Sequence, residues 1–356
     1  MKPSLKPNPL GAALMALAAS LWLGLLPTPA RAADEVKGTK EQLLELTGGR
    51  RVKVVWVQGT SDTNHASSPI KLFDTKDGLI QELPFTGIQP WLTPDGKRVV
   101  AVAGTDMDRK LMMYDTESKK VTTLGTGPHS FPLAIWRDPK TKRDWIYVNA
   151  TDAGGEFKRD WSDGQDKMFR FPLDKPEARE LFWDRTKSSE FFMLSADGTR
   201  ACFAPTFSNI GQMTFAFDPK GKPDADKSIF KTLGHGCFPG MAPDNSYRLF
   251  HLEGDHKAIM MYDADGANPR KINVTGMPGV GEKNLQSWLT RWSTHPRFLT
   301  LMAPCNADAR IWIGRFDEKF TQIEAWVQVT PDGPQCGKSH AWIDPVRSPV
   351  APIKRR

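Results

Sequence analysis

Seven histidines and 41 acidic side chains are the chain's stock for metal or proton chemistry, and a few stand where they could be used. His129, His235 and His340 each lie in, or at the end of, a connection leading into an apolar strand-like run. Neutral imidazole suits zinc, copper or iron, so three such rings at one point could hold a divalent metal. Their spacing does not demand it. There is no His-x-His or His-Glu-x-x-His, and the plainer alternative is that each ring caps a strand or bonds backbone. His65 and the group Glu253, Asp255 and His256 fall in a second kind of loop, where an imidazole beside carboxylates could serve as general acid or base. The longest insertion, 151–167, adds Arg159, several acids and Trp161, a side chain suited to stacking on a ligand or covering one.

Other near-motifs fail on inspection. Asp263 and Asp265 before Gly266 have the start of a calcium loop, but Ala267-Asn268-Pro269 follows without further ligands, so a hairpin turn is expected. Gly337-Lys338-Ser339 ends like a phosphate loop, yet Asp332 stands where the first glycine is required and a strand follows. The glycines of 276–281 are in the wrong order for a dinucleotide fingerprint. With no Gly-x-Ser-x-Gly and no Cys-x-x-Cys, a hydrolase or redox assignment has no motif behind it.

The elements that must position these residues recur. Gln89-Pro90-Trp91-Leu92-Thr93-Pro94-Asp95-Gly96, Phe192-Met193-Leu194-Ser195-Ala196-Asp197-Gly198 and Pro239-Gly240-Met241-Ala242-Pro243-Asp244-Asn245 are short apolar runs closing in a tight turn. A second strand follows each, at 98–103, 200–204 and 247–252. A third ends in aromatic-Asp, as in Tyr114-Asp115 and Tyr262-Asp263, and a fourth precedes a connection rich in glycine. Weaker copies begin at 132–136 and at Arg291-Trp292-Ser293. Four strands per unit, repeated at intervals of tens of residues, is the pattern of propeller blades. The ends of the repeat are incomplete in complementary ways. Three strands at 52–58, 70–74 and 79–83 lack a first strand, and Ser339-His340-Ala341-Trp342-Ile343-Asp344-Pro345 is a first strand with no blade after it. Joined, they close the ring and leave no long open edge. Blades then start near 339, 89, 130, 190, 237 and 288: an all-β, six-bladed propeller whose C-terminal strand completes the N-terminal blade.

The Trp-x-x-Pro-Asp-Gly turn, the apolar strand after it and the aromatic-Asp third strand resemble the WD40-like repeats of TolB-type six-bladed propellers, over roughly residues 50–345 and most clearly at 87–124 and 237–275. Blades three and six depart from the pattern, with Trp136-Arg137-Asp138-Pro139 and Ser293-Thr294-His295-Pro296 in place of the usual turn. The stretch from Gly236 to Asn245 and the Trp342-Ile343-Asp344-Pro345 ending are also similar to secreted bacterial propellers of unassigned function. That resemblance implies an exported protein and no settled reaction.

Up-and-down stranding sorts the loops by end of the ring. Connections into a first strand and those between second and third strands share one end, and the Pro-Asp-Gly turns occupy the other. His65, His129, Trp161, His235, Glu253, Asp255, His256 and His340 therefore gather at the loop-rich end, where a rigid scaffold usually carries binding. Trp91, Trp292 and Trp342 read as one repeat position packed between blades. Cys305 with Cys336 at the ring closure, and Cys202 with Cys237, are candidate disulfides. Four cysteines allow three pairings, and Cys202 reads equally well as a buried free thiol.

Composition and the first residues supply an address. Glycine and proline make up 57 of 356 residues (29 and 28), too much punctuation for a helical bundle. Lys2 and Lys6 precede an apolar run at 10–26, and Ala30-Arg31-Ala32 has the small-x-small pattern of a signal peptidase site, so cleavage after Ala32 is expected. The expected organisation is a leader at 1–32, a linker at 33–48, the propeller at 49–345 and a tail at 346–356. No later segment is long and apolar enough to span a membrane. Loss of Lys2, Lys6 and Arg31 lowers the net charge from +7 to +4, with no dense basic block, which argues against nucleic acid as the main partner. The leading expectation is a monomeric, periplasmic or secreted propeller without cofactor, binding an envelope protein or glycan at its loop-rich end. The alternative is a carbohydrate-active lyase or hydrolase using the same histidines and acids, with or without a divalent metal.

Overall fold

The computed structural model describes residues 34–35, 38–59, 68–104, 110–126, 129–150, 167–183, 191–206, 209–219, 221–281 and 285–345. They build six antiparallel sheets. In chain order the elements are β1 (Asp34–Glu35), α1 (Thr39–Leu46), β2 (Val52–Gln58), β3 (Pro69–Asp74) and β4 (Leu79–Thr86). Blade two is β5 (Ile88–Leu92), β6 (Arg98–Ala103), β7 (Lys110–Asp115) and β8 (Val121–Thr126). Blade three is β9 (His129–Arg137), β10 (Asp144–Ala150), β11 (Lys167–Pro172) and β12 (Glu180–Trp183), and blade four is β13 (Met193–Leu194), β14 (Arg200–Thr206), β15 (Asn209–Phe217) and β16 (Pro223–His235). Blade five is β17 (Cys237–Met241), β18 (Leu249–Leu252), β19 (Ala258–Tyr262) and β20 (Arg270–Asn273); blade six is β21 (Trp288–Trp292), β22 (Phe298–Ala303), β23 (Arg310–Phe316) and β24 (Ile323–Gln328). The last strand, β25 (Cys336–Ile343), pairs antiparallel with β2, setting Ile343 opposite Val52 and His340 opposite Val55. Blade one is thus the composite the sequence implies, and the ring is closed by the chain's end.

Burial follows the ring. Around the ring closure strands β25 and β22 are buried on both sides because each is covered by a neighbouring blade: all eight residues of β25 are buried, as are all six of β22. Outer strands alternate, as in β4, because one face meets water. The inter-blade core is aromatic. Trp292 lies between Phe250 and Phe316, at centroid distances of 4.9 and 5.1 Å. Trp342 packs on the Pro-Asp-Gly turn of blade two and donates from Nε1 to the Pro94 carbonyl at 3.1 Å. Gly96 makes that approach feasible: a Cβ there would stand 2.3 Å from the Trp342 ring, and its φ is +67°. Trp136 repeats the device on the turn of blade four, donating to the Ser195 carbonyl at 3.0 Å. Trp91 is different. It is buried against the Arg291 guanidinium and the His340 ring, so Trp91, Trp292 and Trp342 each pack differently and the expected common packing position does not hold.

Four innermost strands carry the same irregularity. Gln89, Phe238, Leu289 and Lys338 have φ between 48° and 53°, and each lies at a bulge where two inner-strand residues face one on the next strand. A left-handed non-glycine residue is uncommon, and four at equivalent places form a designed feature of the inner wall.

Within the segment expected as a linker at 33–48, residues 34–35 and 38–48 belong to strand, helix and turn. β1 adds a fifth strand to the outer edge of blade one, with Asp34 opposite Ile80. Helix α1 lies against β24, burying Leu43 and Leu46 in the core shared by blades six and one. Arg315 donates to the Leu46 carbonyl at 2.7 Å and holds its end. The helix escaped sequence reading because it is eight residues long and preceded by Gly38, with no side-chain cap.

Candidate functional site

The two ends of the ring differ in chemistry. At the turn end each seam between blades is tied by a polar contact. Lys53 donates to the Gly96 carbonyl at 2.7 Å, and Arg137 reaches Asp95 at 3.0 Å while pairing with Asp144 in its own blade at 2.7 Å. Trp136 holds the third seam, Tyr247 donates to Asp197 at 2.6 Å across the fourth, and Arg270 to the Phe320 carbonyl at 2.7 Å across the fifth. The Ile343 amide donates to Thr294 Oγ1 at 3.0 Å across the sixth. Desolvation costs Lys53 part of its basicity, which the surrounding acceptors and Asp74 offset in part.

At the loop end the described side chains form an aromatic notch. Phe191 precedes β13, Phe238 is the bulge residue of β17, His256 lies in the β18–β19 loop and Trp288 opens β21. Phe191 and Phe238 meet at 4.7 Å, Phe238 and Trp288 at 6.0 Å, and His256 and Trp288 at 5.6 Å, with planes inclined by 49° to 78°. Phe191, His256 and Trp288 remain partly exposed, and Phe191 and Trp288 pack against the buried core that includes Phe238. The notch is preorganised. Both the amide and the hydroxyl of Ser287 donate to the His256 carbonyl, at 2.8 and 3.0 Å, and fix a residue whose φ is +58°. Burial lowers the His256 pKa despite the opposing field of Asp255 and so favours the uncharged ring.

Of the residues expected from sequence, Glu253, Asp255 and His256 lie at this notch. Glu253 is ion-paired with Lys271, and Asp255 accepts the Lys257 amide of its own turn at 3.0 Å. His235 is exposed at the end of β16. His340 is not on the loop surface: its ring is buried inside blade one and its Nδ1 accepts the Leu92 amide at 3.0 Å. Burial, with Arg291 nearby, holds its pKa well below the ordinary histidine value. His340 and His235 therefore sit in different surroundings and do not form the converging set a metal would need. Among the described residues no group of three or more His, Cys, Asp or Glu side chains could hold a metal ion. His65, Trp161 and the side chain of His129 lie outside the described residues.

The expected disulfides are not formed: no bond joins Cys305 to Cys336 or Cys202 to Cys237. Cys202 is wholly buried in the sheet of blade four, where desolvation raises its pKa, which is the alternative reading sequence allowed for it. Cys336 is buried at the head of β25, its thiol donating to the Pro334 carbonyl at 3.2 Å, and burial pushes its pKa up to about 11.

Sequence reading missed Phe191, Phe238 and Trp288. It also missed His251, buried between Leu252 O at 3.0 Å and the Tyr262 hydroxyl at 3.2 Å. A period-two reading places side chains by alternation, and the bulge at Phe238 breaks that alternation.

No family model matches the chain, and no curated protein matches it. Solved structures do. TolB from Acinetobacter baumannii aligns with a TM-score of 0.55 at 12% identity, over 85% of this chain and 70% of that one. An Agrobacterium tumefaciens protein assigned as TolB aligns at 0.50 and 14%, over 83% and 99%. A chain of the nidogen/laminin complex aligns at 0.50 and 10%, over 82% and 98%. At such identities the likeness is one of fold. No described helix is long and apolar enough to cross a membrane. The chain is a six-bladed β-propeller whose fold is similar to that of the TolB structures.

Proposed function

We propose that this propeller is an exported, non-enzymatic binding module that docks an envelope protein at its loop-bearing end. The TolB-like fold is of a kind suited to protein interaction in general, and the aromatic notch of Phe191, Phe238, His256 and Trp288 is the observation that carries the reading. Partly exposed aromatics on a rigid, preorganised floor are the usual anchors of protein interfaces. The rings stand at steep angles to one another, making a corner for a compact apolar side chain rather than a flat platform for a sugar. The enzymatic alternative has less support, because Glu253 is engaged by Lys271, Asp255 by its own turn and His340 by Leu92.

A photo-crosslinking residue placed at Trp288 in cells, with a control at exposed Lys140 on the opposite end, tests the reading. Discrete protein adducts from position 288 alone support it. Equal labelling at both ends, or adducts sensitive only to glycan-degrading treatment, overturns it. Export rests on the leader pattern, and a mature chain beginning at Ala33 in the osmotic-shock fraction is the expected result.

A further inference from the structure

Arg291 makes an unusual reach. It starts on β21 of blade six and contacts both blade one and blade two. Its Nη1 donates to the Ser339 carbonyl at 3.4 Å on β25 and to the Pro90 carbonyl at 3.3 Å on β5, and its Nη2 to Gln89 Oε1 at 3.0 Å. The guanidinium carbon lies 3.9 Å from the centroid of the Trp91 ring. Blades six and two are not neighbours in a six-membered ring, so this side chain reaches past the inner strand of blade one to join them. It is only 9% exposed.

The acceptors explain why it can do so. Pro90 and Ser339 each follow the left-handed residue of a bulge, Gln89 on β5 and Lys338 on β25. A bulge takes residues out of the regular ladder and frees carbonyls to point elsewhere. Here two such carbonyls and the Gln89 amide oxygen form a planar-donor cradle with an aromatic wall. A fork of N–H donors fills that shape, and a compact ammonium does not.

We infer that the bulged inner strands of blades one and two build a guanidinium-binding site on the propeller axis, which Arg291 of blade six occupies in cis. The occupied site sets the spacing of three blades at the seam where the ring is closed. It also fixes the inner wall just beneath Trp288 and Leu289, the two residues that precede it on β21 by three and two positions.

Chemical rescue tests this on the whole mature chain. Arg291→Ala should lower Tm by about 5 °C or more, since it removes a buried set of charge-assisted bonds. Millimolar ethylguanidinium should restore part of that loss and leave the wild type unmoved, because a ligand stabilises only the form with a vacant site. Ethylammonium at equal ionic strength should not. Arg291→Lys keeps the charge and should still lose Tm, without gaining from either cation. Hydrogen exchange should show faster amides in 86–92 and 336–343 of Arg291→Ala, with 209–217 of blade four unchanged. If Arg291→Ala does not fold, refolding in ethylguanidinium against ethylammonium gives the same comparison. Equal response to the two cations, an equal gain in the wild type, or uniform exchange across all blades would overturn the inference.

Discussion

The turn end and the loop end of this ring are made from the same strands, yet they solve opposite problems. At the turn end, six seams are tied by hydrogen bonds and ion pairs set in short, tight loops, such as Lys53 on Gly96, Arg137 on Asp95 and Tyr247 on Asp197. At the loop end the notch is lined by aromatic rings, held from below by packing and by Ser287, with the charged Glu253, Asp255 and Lys271 beside it. Polar ties with satisfied partners give register but little free capacity to bind. Partly exposed rings give binding capacity and little register. The difference teaches that one end of the propeller specifies the ring and leaves the other free to specialise.

Substitutions can sharpen or break that contrast. The largest effect is expected at Gly96→Ala, where the new Cβ would meet the Trp342 ring in a left-handed backbone: a loss of about 3 kcal/mol by urea unfolding. A loss below about 1 kcal/mol would show that the seam is not rigid. Arg137→Ala leaves Asp95 and the buried Asp144 without their cation and should cost about 2 kcal/mol, part of the buried-pair penalty being screened by water. An unchanged denaturation midpoint would remove ion pairing from the account of the turn end.

A third, smaller effect is pH dependent. Burial, and then the nearby Arg50 and Arg297, lower the His295 pKa from 6.5 to about 4, and its Nδ1 accepts the Arg297 amide at 3.2 Å. The unfolded chain therefore takes up the proton first as pH falls. The stabilisation is fully present above pH 6.5 and is lost as pH descends towards 4. After allowance for the ring's partial exposure, the wild type should lose about 1 kcal/mol more than His295→Gln between pH 7 and 5. Parallel pH profiles for the two proteins would discount it. The smallest stability change is expected at the loop end. Trp288→Ala should shift unfolding by less than about 1 kcal/mol while abolishing crosslinks at neighbouring notch positions. A loss as large as that of Gly96→Ala would make Trp288 a structural residue and undo the comparison.

Much of the ring was legible in the sequence because its signals are local. The Thr93-Pro94-Asp95-Gly96 turn and the apolar runs around it reveal a hairpin without reference to anything distant. The strand through Trp342 could be matched to the three strands after Val52 because each lacked what the other supplied. The notch was legible only in part. Glu253, Asp255 and His256 are contiguous and visibly polar, whereas Phe191, Phe238 and Trp288 come from three blades and read as ordinary core. Arg291 was hidden for a related reason: a charged residue in a strand suggests a solvent face, and only the bulges of two other blades make its burial favourable. His340 failed the other way. Its place beside a loop suggested an exposed ligand, and the bulge at Lys338 sends it into the wall instead.

The pairing of β25 with β2 also orders events in time. The ribosome makes 52–58 long before 336–343, so the earlier strand waits through the synthesis of the five other blades with one side unfilled. A product that stops before residue 336 lacks the strand that completes blade one. Quality control is thereby written into the order of manufacture: a chain released early advertises itself by a bare strand edge, and a complete one conceals it.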